Sequence, residues 1–187
     1  MKSNILKSIR LTLVLTVILC VIYPAVIAFV SKQSKGKGDG ETIMVKGKVV
    51  GYSNIGQSFT KPQYFWGRPS AVGYNAGGSA GSNKGPSNSD YLKDVSNRID
   101  TLLKYHPYLQ RADIPAEMVT ASGSGLDPDI SPAAAKIQIK RIAANRGLTL
   151  QKVNQLVNQH TEAPLFGLFG PAKINVLKIN IALDQLK

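Results

Sequence analysis

The run L-T-L-V-L-T-V-I-L-C-V-I-Y-P-A-V-I-A-F-V, from Leu11 to Val30, holds twenty residues and no charged side chain. A helix of that length crosses the roughly 30 Å hydrocarbon core of a bilayer, where every backbone polar group must be satisfied within the segment. The run therefore divides the chain before any other feature is read. Residues 1–10 form a short tail, residues 11–30 the span, residues 31–42 a linker, and residues 43–187 a domain large enough to bury its own core.

A cleaved signal peptide is the competing reading, since Lys2, Lys7 and Arg10 precede the run and Val26-Ile27-Ala28 has the outline of a cleavage site. The apolar stretch continues through Phe29 and Val30, beyond the roughly 7–15 residues of a signal core, which favours a retained anchor. Charge counting leaves the orientation tied, because Lys32, Lys35 and Lys37 balance the cations ahead of the run. A short tail is readily kept in the cytoplasm while a large domain is translocated, so the domain is expected outside.

Cys20 is the only cysteine and sits in the apolar run, so the domain has no disulfide, catalytic thiol or thiolate metal site of its own. Of the 23 Lys and Arg, three precede the span, leaving 20 against 11 Asp and Glu. Such a basic surface suits anionic lipid or an acidic partner, or simply keeps the domain soluble. No dense Lys/Arg block with interleaved aromatics occurs, so nucleic acid is not an expected partner.

Ser31 to Gly40 is rich in Gly, Ser and Lys and reads as a flexible linker. Ile43 to Tyr52 sets short β-branched runs around Lys46-Gly47-Lys48 and predicts a hairpin or two short strands. The next segment, Ile55 to Ala71, gathers Phe59, Tyr64, Phe65 and Trp66 between Pro62 and Pro69, and reads as ordered but irregular. Its aromatics either pack beneath a long loop, the commoner use, or anchor an interface together with Arg68. Tyr74 to Ser89 is a Gly/Ser-rich loop, followed by a helix capped by Asn88 or Ser89, with Leu92, Val95, Ile99, Leu102 and Leu103 on one stripe and an end at His106-Pro107.

Ile114 to Ala121 reads as a helical turn entering a brief strand. Ser131 and Pro132 start a helix that runs to Arg146, with Gly147 beyond its end; Ala135, Ile139 and Ile142 form its buried face, and Lys136, Lys140, Arg141 and Arg146 the exposed remainder. Thr149 opens another helix, with Leu150, Val153, Leu156 and Val157 on one side, so the two make a helix-turn-helix pair for which packing is the commonest use. The alternation of Leu177, Ile179, Ile181 and Leu183 with Lys178, Asn180 and Ala182 predicts a strand. The expected fold class is α+β, with several short strands and three or four helices behind one transmembrane helix.

Neither an Asp-Lys-Thr-Gly phosphorylation motif nor a G-x-x-x-x-G-K-[ST] loop occurs. His106 and His160 each stand at a helix end without a second ligand at metal spacing, and read as surface or capping residues. Ser122 and Ser124 lack a G-x-S-x-G elbow, and no enzyme activity is expected of this chain. The stretch V-T-A-S-G-S-G-L-D-P-D-I-S, Val119 to Ser131, admits two readings. Ser122, Gly123, Ser124 and Gly125 could cradle a phosphate ahead of a helix start. Asp127 and Asp129 oppose that, as carboxylates that satisfy the helix N-terminus themselves and repel an anion; the other reading is a sharp turn with Gly123 or Gly125 at positive φ.

Taken together, I-G-Q-S-F (Ile55–Phe59), Y-F-W-G-R-P-S-A (Tyr64–Ala71), G-S-N-K-G-P-S-N (Gly81–Asn88), V-T-A-S-G-S-G-L-D-P (Val119–Pro128) and N-V-L-K-I-N (Asn175–Asn180) resemble one family, the C subunit of the Kdp-type potassium-transporting P-type ATPase, KdpC. The resemblance implies a non-catalytic accessory subunit in a bacterial plasma membrane, part of a high-affinity, ATP-driven potassium import complex. Its implied partners are a channel-like potassium-binding subunit, a P-type ATPase subunit and a small single-span subunit, with membrane lipid around the span. The family is described as a catalytic chaperone that raises the ATP affinity of the pump subunit, with nucleotide contact attributed to the Ser122–Gly125 segment; ATP enters only by that route, and no metal or firmly bound cofactor is implied. Where relatives often carry His after Asp-Pro, this chain has Asp129, so no role of that histidine carries over. An extracytoplasmic domain seated over the potassium entrance is the expectation that agrees with the topology.

Overall fold

The computed structural model describes residues 2–186, which form two compact units divided between Thr42 and Ile43. In the first, α1 (Lys2–Val17) and α2 (Tyr23–Ser31) are joined by a π-helical turn, Ile18–Ile22. Pro24 accounts for that turn: it has no N–H to give, and its ring would strike the carbonyl four residues back, so the helix widens just before it. The stretch Asn4–Ser31 has a mean hydropathy of 2.8 in its most apolar window, and is long and apolar enough to cross a membrane.

The second unit opens with a hairpin, β1 (Thr42–Val45) and β2 (Lys48–Tyr52), turned by Lys46 at φ 50° and Gly47 at φ 78°. After 36 residues without regular structure comes α3 (Ser89–Tyr105), whose N-cap Asn88 accepts from the Tyr91 N–H. Ile99 and Leu102 of its stripe are buried, whereas Leu92 lies exposed. Two 3-10 turns, Arg111–Asp113 and Ala116–Met118, precede β3 (Asp129–Ile130), α4 (Pro132–Lys136), α5 (Ile139–Arg146) and α6 (Leu150–Gln159). The C-terminal segment supplies β4 (Ile174–Asn175) and α7 (Val176–Gln185). β3 and β4 pair antiparallel, Asp129 with Asn175 and Ile130 with Ile174, while α6 packs on α4, α5 and α7. The core runs through these helices as Ile130, Ala134, Ala135, Ile142, Val153, Leu156, Val157, Ile174, Ile179 and Leu183.

The fold is α+β as expected, with three departures from the local pattern. The segment from Val176 is a helix, not a strand. Its buried residues are Val176, Leu177, Ile179, Asn180 and Leu183, a helical stripe that looked like alternation only because Asn180 was counted as an outward polar residue. Asn175 caps it by accepting from the Lys178 N–H. Second, the helix begun by Ser131 breaks at Ile137–Gln138, because the Gln138 side-chain amide donates to Ala134 O and takes the acceptor that its own backbone N–H would use. Third, no strand follows Met118: Val119 and Thr120 turn instead, the Thr120 N–H bonding back to Ala116 O. The predicted helix ends at Gly147 (φ 64°) and Thr149, which accepts from the Lys152 N–H, are as expected, although Leu150 is exposed.

Candidate functional site

The irregular segment from Lys61 to Trp66 carries the concentration of aromatics, and its backbone must find partners without a sheet or helix of its own. Side chains supply them. Trp66 Nε1 donates to Lys61 O, Arg141 to Pro62 O and Tyr64 O, Arg146 Nε to Gln63 O, Asn180 Nδ2 to Phe65 O, and Gln138 Nε2 to Trp66 O. Two of these amides also accept. Phe65 N donates to Asn180 Oδ1 at 2.8 Å and Trp66 N to Gln138 Oε1 at 2.8 Å, so each amide pairs with both the N–H and the C=O of one residue, as a residue on a neighbouring antiparallel strand would. Asn180 and Gln138 are buried for this reason.

Arg141 is the centre of the arrangement. Its surface position in the sequence reading is corrected here: it is 4 % exposed. Its guanidinium donates through Nε to His106 Nε2 at 2.9 Å and to Gln138 Oε1 at 2.7 Å, and lies 4.2 Å from the centre of the Trp66 ring. Burial lowers its pKa to about 10, so it stays cationic at neutral pH with no carboxylate bonded to it. His106 is likewise buried rather than on the surface, although it does cap α3. Because Nε2 accepts from Arg141, the proton sits on Nδ1, which donates to Leu102 O at 2.8 Å. Burial first, and the Arg141 charge in addition, push its pKa down to about 4. No sequence signal marks Arg141 apart from its cationic neighbours; the cue available was the proximity of Gln138 at i−3. His160 caps α6 and bonds Leu156 O, half-buried.

A cleft of about 370 Å³ opens beside this hub, walled by Phe59, Trp66, Tyr74, Leu102, Tyr105 and Met118, with Arg98 and Thr101 at its edge. Arg98 is engaged with Val119 O at 2.9 Å. Of the aromatic candidates, Phe59 and Trp66 reach this cleft, Tyr64 lies under Arg146 at 4.8 Å, and Phe65 packs fully inside the core. The fifth candidate, Arg68, pairs with Asp127 at 2.9 Å.

The Ser122–Gly125 stretch lies against the loop that follows Arg68. Ser122 N donates to Pro69 O, Ser70 Oγ to Gly125 O at 2.6 Å, and Ser79 Oγ to Ser124 O at 3.0 Å. Gly125 has φ 68°, and a Cβ there would stand 2.6 Å from Val72 Cγ2 and 2.7 Å from Ala80 O. Gly56 is also obligatory, since a Cβ would lie 2.4 Å from Asp127 O. Three N–H groups that could face an anion are used internally: Ser122 N on Pro69 O, Gly125 N on Ser122 O, Leu126 N on Ser124 Oγ. The two aspartates do not cap α4. Asp127 accepts from Asp129 N and holds Arg68, Asp129 holds Lys173 at 2.8 Å, and the cap is Ser131. Tyr74, whose pKa burial raises, with Asp127 adding to the rise, remains a neutral donor to Arg68 O. Three of the marker stretches, Ile55–Phe59, Tyr64–Ala71 and Val119–Pro128, thus converge on one loop cluster. No group of His, Cys, Asp and Glu able to hold a metal occurs among the described residues, and the hydroxyls of Ser70, Ser79 and Ser124 bond backbone groups.

Residues 5–185 match the family described as "KdpC: K+-transporting ATPase, c chain". A relative from Flavobacterium johnsoniae, named potassium-transporting ATPase KdpC subunit, is 57 % identical over 185 residues, covering 99 % of this chain and 100 % of its own. Proteins of the same name from Bacteroides fragilis (53 %, 99 % of this chain, 98 % of theirs) and Polaromonas naphthalenivorans (50 %, 100 % of this chain, 97 % of its own) match along the same length.

Proposed function

This chain belongs to the KdpC family, and from that premise we propose that it is the membrane-anchored, non-catalytic accessory subunit of an ATP-driven potassium import complex. The observation that carries the proposal is the near-complete match to proteins of that name, joined to an apolar helix long enough to cross a membrane and a domain whose buried polar side chains bond within it. The helix is retained, its N-terminus faces the cytoplasm, and it packs on partner helices. The domain stands outside and caps the potassium entrance of the channel-like subunit, through a locally neutral or acidic face despite the overall basic charge. Phosphorylation and ion selection are left to the partners.

A rise in the pump subunit's ATP affinity then follows from assembly, not from nucleotide held by this chain. What supports this is the commitment of the Ser122, Gly125 and Leu126 N–H groups inside the turn. A tagged chain is expected to co-purify with a potassium-stimulated ATPase, and its domain to be cut by protease added outside sealed cells. Protection of the domain, or labelling by a photoreactive ATP analogue lost on Ser124→Ala, would overturn the assignment in favour of a nucleotide-binding regulator.

A further inference from the structure

Between Glu162 and Lys173 the chain forms a finger whose ten residues, A-P-L-F-G-L-F-G-P-A (Ala163–Ala172), include no polar side chain. Antiparallel bridges join Glu162 to Lys173 at its base and Leu165 to Phe169 at its tip. Leu165, Phe166, Leu168 and Phe169 are 63, 84, 81 and 65 % exposed, and none belongs to the core. Isolated apolar side chains on a surface need no explanation, but four large ones on one short loop do. Phe166 adopts φ 53°, a conformation disfavoured for a bulky residue, so the display of its ring is held against local preference.

Most of the finger's backbone N–H groups are bonded within it. Four of the six N–H groups between Pro164 and Pro171 donate within the finger: Leu165 to Phe169 O, Gly167 to Pro164 O, and both Leu168 and Phe169 to Leu165 O. The prolines have no N–H to satisfy. Each backbone group bonded internally lowers the cost of entering an apolar layer. A protein partner would instead be recognised through a polar rim around an apolar centre, and these ten residues offer no side chain for one. The chain supplies a bilayer through its own helix, Asn4–Ser31. The eleven residues from Lys32 to Thr42 extend at most about 35–40 Å, near the diameter of a domain this size, so the domain stays within reach of the lipid surface.

We infer that the Leu165–Phe169 tip inserts into the acyl-chain boundary of the bilayer that carries the helix, giving the chain a second membrane contact. The ligand is the apolar layer beneath the headgroups; the domain's charge plays no part in it. This rests on the membrane-anchor reading of the helix and not on the potassium function.

The test uses the full chain with Cys20→Ser and Phe166→Cys, labelled in detergent with an environment-sensitive fluorophore and reconstituted alone into phosphatidylethanolamine–phosphatidylglycerol vesicles. Parallel samples carry the label at native Cys20 in the helix, and at Asn158→Cys on the exposed side of α6. Nitroxide-bearing lipids are expected to remove most of the fluorescence at positions 20 and 166 and little at 158. Quenching at 20 without quenching at 166 overturns the inference. A blue shift at 166 that appears only with the other subunits, unquenched by lipid, assigns the finger to a protein partner and overturns it too. No quenching at 20 removes the anchor reading and the inference together.

Discussion

Arg141→Met keeps the length and apolar stem of the side chain and deletes the guanidinium. Four acceptors lose a donor, the buried His106 Nε2 and Gln138 Oε1 and the half-buried Tyr64 O and Pro62 O. Each orphaned buried acceptor costs about 1–3 kcal/mol. Relief from keeping an uncompensated charge out of water offsets part of that sum, as does the second partner that Gln138 Oε1 retains in Trp66 N. A net loss of about 3–5 kcal/mol results, by analogy with removing one partner of a buried charged pair. Against the roughly 7–20 kcal/mol expected for a domain of this size, that is a large fraction. The assay is a urea titration of the full chain in detergent micelles followed by tryptophan emission, since the single Trp lies under the guanidinium and reports on the hub itself. Arg141→Lys should lose nearly as much, because an ammonium cannot reproduce the fork that reaches His106, Tyr64 O and Gln138 at once. A loss below about 1 kcal/mol for Arg141→Met would refute the claim that this residue holds the aromatic segment in place.

Acid should weaken the domain through His106. With the folded pKa near 4 and the unfolded value 6.5, the unfolded state binds the extra proton, so stability is complete above pH 6.5, falls as pH drops through 6.5, and levels off below about 4. The total is about 3 kcal/mol, and His106→Gln should flatten that part of the urea-midpoint profile. Gly125→Ala should cost about 2 kcal/mol or more, from the left-handed backbone plus the contacts at 2.6 and 2.7 Å, visible as a lowered melting temperature. Asn180→Leu, close in volume, leaves the Phe65 N–H and C=O without partners and should cost about 2–4 kcal/mol in the same titration.

The parts of the fold legible in the sequence are those decided by neighbours. Asn88, Ser131 and Thr149 cap their helices with side-chain oxygens accepting from N–H groups three residues on, and the Lys46-Gly47 turn closes its hairpin over two residues. What stayed hidden was decided at a distance. Asn180 and Gln138 look like surface amides until Phe65 and Trp66, 115 and 72 residues away, are brought against them. The same partners make Arg141 a core residue, break the helix at Gln138 and turn an apparent β alternation into α7. The choice between a phosphate cradle and a turn at Ser122–Gly125 was legible in outline: Gly125 takes the positive φ, while Gly123 does not. The docking of that turn on Ser70 and Ser79 was not, since the partners are 55 and 45 positions apart.

The support of Lys61–Trp66 by side chains also sets an order of events. Gln138, Arg141, Arg146 and Asn180 all lie later in the chain than the peptide groups they satisfy. A nascent chain therefore exposes its aromatic segment well before the residues that secure it have been made, and loop closures over 72 to 115 residues are slow steps. The segment is the first part of the centre to be synthesised, and its backbone has these partners only once α7 has followed. Any protein released without α7 would lack Asn180 and leave the N–H and C=O of Phe65 unfastened, an opening that a protease in the cell could read.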